Sequence, residues 1–105
     1  MSGRLARKAF LHEEAEKDFK EASDYYAERS PLIADRFEAE VRRGVAFIEN
    51  FPEASPVVYP GDIRRKVLGD RFKYSLFYVI EPDRIRVLAV AYQGRDPEYW
   101  KGRLP

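Results

Sequence analysis

A chain of 105 residues can build one hydrophobic core unaided, and it reads as a single domain over 1–105; with no cysteine it suits a reducing compartment and excludes thiolate catalysis and cysteine-ligated zinc. No run approaches the ~20 apolar residues of a membrane span, and Met1 to Phe10 is too short and too charged for a secretory signal, so a soluble cytoplasmic domain is expected. Net charge is only +1, yet residues 1–60 balance at −3 and residues 61–105 at +4, an asymmetry that suggests a polyanion on the basic side.

Lys8-Ala9-Phe10-Leu11 is a short apolar run that predicts an edge strand. His12 stands at an N-cap position, and Ala15, Phe19, Ala22 and Tyr26 then form one apolar stripe of a helix over 13–29. Glu13, Glu14 and Glu16 fall in its first turn, where they complement the helix dipole. Ser30-Pro31 separates this helix from a second over 31–51, with serine as N-cap and proline at the first helical position. Ile33, Phe37, Val41, Val45 and Ile48 make its stripe, and Pro52 disfavours continuation. Two such stripes imply an antiparallel helical hairpin laid on a sheet.

Glu53 to Gly61, with Pro56 and Pro60, reads as an irregular connection. From Ile63 to Leu68 a strand places Ile63, Arg65 and Val67 on one face and Arg64, Lys66 and Leu68 on the other. Gly69-Asp70 is a turn signal, and Phe72 to Ile80 is apolar on both faces apart from Lys73 and Ser75, as a central strand should be. Pro82-Asp83 makes the next turn, and Ile85 to Tyr92 is the last strand. The order β-α-α-β-β-β, helices first and strands after, predicts an α+β fold: a helical hairpin packed on one face of a mainly antiparallel sheet of about four strands.

The last strand closes on Arg95, Asp96, Pro97, Glu98, Tyr99 and Trp100, a cluster of charged and aromatic side chains. Buried unpaired charge is costly, so this ending predicts a sheet with one packed face and one working face, the latter suited to an anionic partner. Asp96 is placed to pair with Arg95, and Trp100 to pack over the sheet as a lid. Tyr25 and Tyr26 are adjacent, so one faces the core and the other solvent. Tyr74 and Tyr78 share a face of the central strand and fit a core better than a site. Arg84 and Arg86 flank a turn, as edge-strand arginines that oppose aggregation do.

This order of elements, the proline after the second helix, and the ending RFKYSLFYVIEPDRIRVLAVAYQGRDPEYW resemble the RelE/ParE family of toxins from type II bacterial toxin–antitoxin modules (plasmid stabilisation proteins) over Lys8 to Trp100. The aromatic run Phe72, Tyr74, Tyr78 and the tail from Ala89-Val90 to Trp100 carry the resemblance most specifically. Lys73, Tyr92 and Gly94 depart from the proline, histidine and arginine that many relatives carry there.

The resemblance implies a growth-inhibiting toxin and a cognate antitoxin encoded by an adjacent gene, forming a toxin–antitoxin hetero-oligomer. It implies no cofactor, no metal and no membrane partner. ParE-like members poison DNA gyrase without chemistry of their own; RelE-like members cut ribosome-bound mRNA. Backbone cleavage needs activation of the 2′-hydroxyl, stabilisation of the phosphorane and protonation of the leaving oxygen. Arg65, Lys66, Arg95 and Tyr99 are the catalytic candidates for that chemistry; Arg64, Arg65, Arg95, Tyr99 and Trp100 are the partner-binding candidates. RelE-like nucleases carry an arginine after the tyrosine of the central strand, where this chain has Ser75, and its C-terminal half holds no histidine. Both features move the chain toward the gyrase-binding branch or toward a third, unassigned one. A non-toxic nucleic-acid-binding module, stacking bases on a basic aromatic sheet, is the remaining alternative.

Overall fold

The structure, a computed structural model, describes residues 7–103; the charged start Met1 to Ala6 lies outside them. Strand β1 (Ala9–Leu11) leads into helices α1 (Glu13–Ala27) and α2 (Pro31–Asn50). Strands β2 (Val57–Tyr59), β3 (Ile63–Val67), β4 (Tyr74–Ile80) and β5 (Ile85–Tyr92) follow, then a short helix α3 (Glu98–Lys101). His12 does cap α1: its Nδ1 accepts the Glu14 N–H at 3.0 Å. Ser30 takes the N-cap position of α2 in extended backbone, but its hydroxyl makes no cap bond. Pro31, with φ already near the helical value, starts this helix instead. No helix among the described residues is long and apolar enough to cross a membrane.

The sheet has five strands in the order β1-β5-β4-β3-β2, antiparallel except for the parallel pair β1 and β5. The additional strand is β2, inside the segment expected to be irregular. Three residues between Pro56 and Pro60 are too few for an alternating pattern to show, and proline is tolerated at such an edge. The parallel pairing corrects a second expectation. Because β1 lies along Ile85–Val87, β5 is interior and Arg84 and Arg86 do not guard an edge strand. They share Glu81, at 3.0 and 2.9 Å, and lie over the Phe10 ring.

The hairpin buries Ala15, Ala22, Phe37, Val41 and Ile48 against Leu68, Phe72, Leu76, Tyr78, Ile85, Val87 and Val90. Tyr26 joins this core at its border and Tyr25 faces out, as their adjacency requires. Parity along β5 changes midway. Phe77 pairs with Ala89 but Tyr78 with Val87, so Leu88 is an extra residue, a β-bulge. Before it, Ile85 and Val87 face the helices; after it, Val90 does, while Ala89 and Ala91 turn to the other side.

The other face of the sheet is packed as well. Trp100 stacks on Phe77 with ring centroids 4.5 Å apart, and Tyr59 meets Trp100 edge-on at 5.4 Å. Around them Ile63, Val79, Leu88, Ala89 and Ala91 are buried. Trp100 is therefore the lid its position suggested, but the expected open working face is closed over much of its area. Only the β3 side of it, at Arg65 and Val67, is exposed.

Candidate functional site

The segment after β5 lays Trp100 over the second face of the sheet and brings Arg95, Tyr99 and Arg103 to the border with α1. Arg95 N–H donates to Tyr92 O at 3.0 Å, and Asp96 Oδ1 accepts the Glu98 N–H at 2.9 Å, starting α3. Asp96 thus braces the turn into α3, and no ion pair joins it to Arg95 among the described residues. The Arg95 guanidinium lies 3.7 Å from the centroid of the Tyr99 ring, an exposed cation held over a half-buried aromatic face. Arg103 approaches the same ring at 4.9 Å.

Beneath this pair is the most buried ion pair of the described chain. Strand β1 ends opposite Val87, so β5 continues past it with peptide groups that no strand takes up. Asp18 of α1 accepts the Val90 N–H at 3.1 Å, and Arg103 Nη1 donates to Leu88 O at 3.0 Å. Asp18 and Arg103 also bind each other two-pronged, at 2.7 and 3.3 Å, with side chains only 9% and 11% exposed. A carboxylate and a guanidinium thereby do what a neighbouring strand would do, satisfying buried backbone groups and fastening α3 to α1. Asp18 reads in the sequence as one of many helix-surface acids; a partner 85 residues away leaves no local signal.

A cavity of about 200 Å³ opens beside the pair, between α1 and the end of β5, bordered by Asp18, Glu21, Tyr25, Tyr92, Arg95 and Tyr99. Burial, aided by the negative charge of Asp18, pushes the Tyr99 hydroxyl up to about 12. Tyr74, on the same border, is also raised to about 12, chiefly by burial and then by Tyr26. Both phenols stay protonated at neutral pH. They can donate hydrogen bonds but are poorly matched to act as a general base there.

The structure brings together two of the predicted site residues, Arg95 and Tyr99, and separates the others. Arg65 lies on β3 opposite Phe77, exposed on the second face. Lys66 faces the helices, its ammonium 4.3 Å from the Phe47 ring centroid. Arg64 donates to Ser55 O at 2.7 Å and Glu53 O at 3.1 Å, pinning the connection before β2. Tyr78 does the same through Pro52 O at 2.6 Å. Trp100, 1% exposed, meets a partner only if α3 moves away. Ser75 is buried on the second face, with its Oγ unpartnered among the described residues.

A two-helix hairpin on one face of a mostly antiparallel sheet, closed behind by a C-terminal aromatic lid, defines a small α+β fold. The sequence pattern of the family described as "ParE toxin of type II toxin-antitoxin system, parDE" matches residues 9–97, and the chain belongs to that family. Among solved structures, a chain of the chromosomal ParDE TA system from P. aeruginosa superposes with a TM-score of 0.72 at 15% sequence identity. The match covers 85% of this chain and 98% of that one. No curated protein matches the sequence.

Proposed function

We propose that this chain is the toxin of a type II toxin–antitoxin module and that it arrests growth by binding and poisoning DNA gyrase, acting as a protein ligand without catalysis of its own. One observation carries the choice of target: the cations that backbone cleavage would need do not converge. Arg65 and Lys66 lie on opposite faces of β3, neither borders the cavity of Arg95 and Tyr99, and buried Ser75 occupies the place of the nuclease arginine. Membership of the ParE family supports the same target. Arg95 and Tyr99 then serve as interface anchors, and a cognate antitoxin from the adjacent gene is the expected regulator.

Two assays separate this reading from its rivals. Purified protein should inhibit supercoiling by gyrase and leave translating mRNA intact in primer extension. Codon-spaced cuts with unaffected gyrase would overturn it in favour of a ribosome-dependent endonuclease. Loss of neither, with tight binding to single-stranded nucleic acid, would favour a non-toxic binding module. Truncating a true anchor arginine, as in Arg95→Ala, should weaken gyrase binding by about 2 kcal/mol, roughly thirtyfold.

A further inference from the structure

Helix α2 carries Arg36, Glu40 and Arg43 at spacings of four and three, which places them on one face. That face borders two adjoining cavities, which share Glu40 and Arg43. One, about 280 Å³, is closed by Arg71 and Phe72; the other, about 210 Å³, by Lys66 on β3 and by Leu68 and Gly69 just after it. Together they form a groove between α2 and the β3–β4 turn, with Arg36 and Arg43 on the order of 10 Å apart along the helix.

The two walls are fastened to each other. Glu40 accepts the Gly69 N–H at 3.1 Å and a hydrogen bond from Arg43 Nη2 at 2.6 Å, which staples the turn to the helix. A Cβ at Gly69 would stand 2.9 Å from the Glu40 carboxylate, so glycine is what lets the turn come this close. The Arg43 guanidinium, and after it the Gly69 N–H, hold the Glu40 carboxyl below its usual range. They also offset the only acid that lines either cavity among the described residues; Asp70 follows Gly69 in sequence but lines neither. Arg36, Lys66 and Arg71 make no ion pair among the described residues.

Three unpaired cations, and a fourth shared with an offset acid, suit a polyanion, and the walls select its kind. Phe72 is 4% exposed and the Lys66 ammonium lies over the Phe47 ring. Neither an apolar side chain of a peptide nor an unstacked base of a single strand therefore finds an open ring to pack on. What the groove offers is positive charge at intervals, which matches a phosphate backbone. We infer that this groove binds the backbone of duplex DNA without regard to sequence. The inference goes beyond the gyrase reading and does not depend on it. Because the groove shares no residue with the cavity of Arg95 and Tyr99, one molecule can meet gyrase and the DNA on which gyrase acts at the same time.

The test is fluorescence anisotropy of a short labelled DNA duplex titrated with the intact chain as salt is raised. Log affinity should fall with log salt at a slope of about −2.7, from roughly 0.9 per phosphate at three phosphates. Arg36→Ala with Arg71→Ala should weaken binding about tenfold or more at low salt and reduce the slope to about −1. Both side chains are exposed, so the thermal midpoint should stay near wild type. Glu40→Gln keeps an acceptor for the Gly69 N–H while removing the negative charge, and should tighten binding severalfold. Lys17→Ala with Lys20→Ala removes the same charge from α1 as the arginine pair removes from the groove, and should bind as wild type does. No binding by the wild-type chain, wild-type affinity in the folded arginine variant or in Glu40→Gln, or an equal loss in the lysine variant each overturns the groove. The gyrase reading is untouched by these outcomes, since inhibition of supercoiling is read separately. A poly-glutamate peptide that binds more tightly than the duplex, and is lost with the same arginines, reassigns the groove to an acidic peptide and overturns the nucleic acid.

Discussion

The two faces of the sheet are covered by very different means. On one side, two helices of 15 and 20 residues lay a continuous stripe across β3, β4 and β5. On the other, a four-residue helix contributes one tryptophan, which stacks on Phe77 with Tyr59 at its edge. The first cover is redundant, since α2 alone buries Ala34, Phe37, Val41, Gly44 and Ile48 along its length and α1 adds Ala15 and Ala22. The second hangs on few groups: the Trp100 ring and, at the end of α3, the Arg103–Asp18 pair. Strand β4 is apolar on both sides and does not reveal this difference. The difference bears on the proposed site, because the thinly held segment is the one that carries Arg95 and Tyr99.

The largest stability losses should come from the helix-covered side. Phe37 and Leu76 are both fully buried, so Phe37→Ala should cost about 3–5 kcal/mol and Leu76→Ala about 2–5 in denaturant melts. A loss below about 1 kcal/mol for either would place that residue outside a close-packed core.

Trp100→Ala should cost about 3 kcal/mol, the low end for an aromatic truncation, because a four-residue helix can shift to fill part of the space. Hydrogen exchange should rise first in residues 93–103 and much less in α1 and α2. Uniform loosening of both faces would erase the contrast between them.

Alkaline titration sharpens the comparison. Tyr74 belongs to the helix side and Tyr99 to the lid, and burial raises both hydroxyls to about 12. A phenol is neutral when protonated, so a folded value above the unfolded value near 10 stabilises the fold fully below about pH 10. That contribution is lost as pH climbs from about 10 through 12. Ultraviolet difference titration should therefore show late-ionising tyrosines, and the Trp100→Ala background should bring the Tyr99 transition, not that of Tyr74, back toward the ordinary value.

The smallest effect expected is a gain. Lys73→Gly removes a side chain from a left-handed backbone position and should stabilise the fold by up to about 1 kcal/mol, read as a raised thermal midpoint. A lowered midpoint would mean that the lysine side chain supports the turn.

The sequence by itself determined the helical hairpin, the order of the three longer strands after it, the His12 cap, the division of labour between Tyr25 and Tyr26, and the Trp100 lid. All but the lid are decided by residues within a turn or two of one another, through side-chain period, capping chemistry or the fixed angle of proline. Only the tertiary structure decided that β1 lies parallel to β5, where Ala9 meets Ile85, and that the bulge at Leu88 exchanges the faces of the last strand. It also decided that Arg95 and Tyr99 come together while Arg65 and Lys66 stand apart, and that Asp18 and Arg103 close the open edge of β5. Pairings across tens of residues depend on how distant surfaces and unsatisfied peptide groups meet, and local spacing carries no record of that.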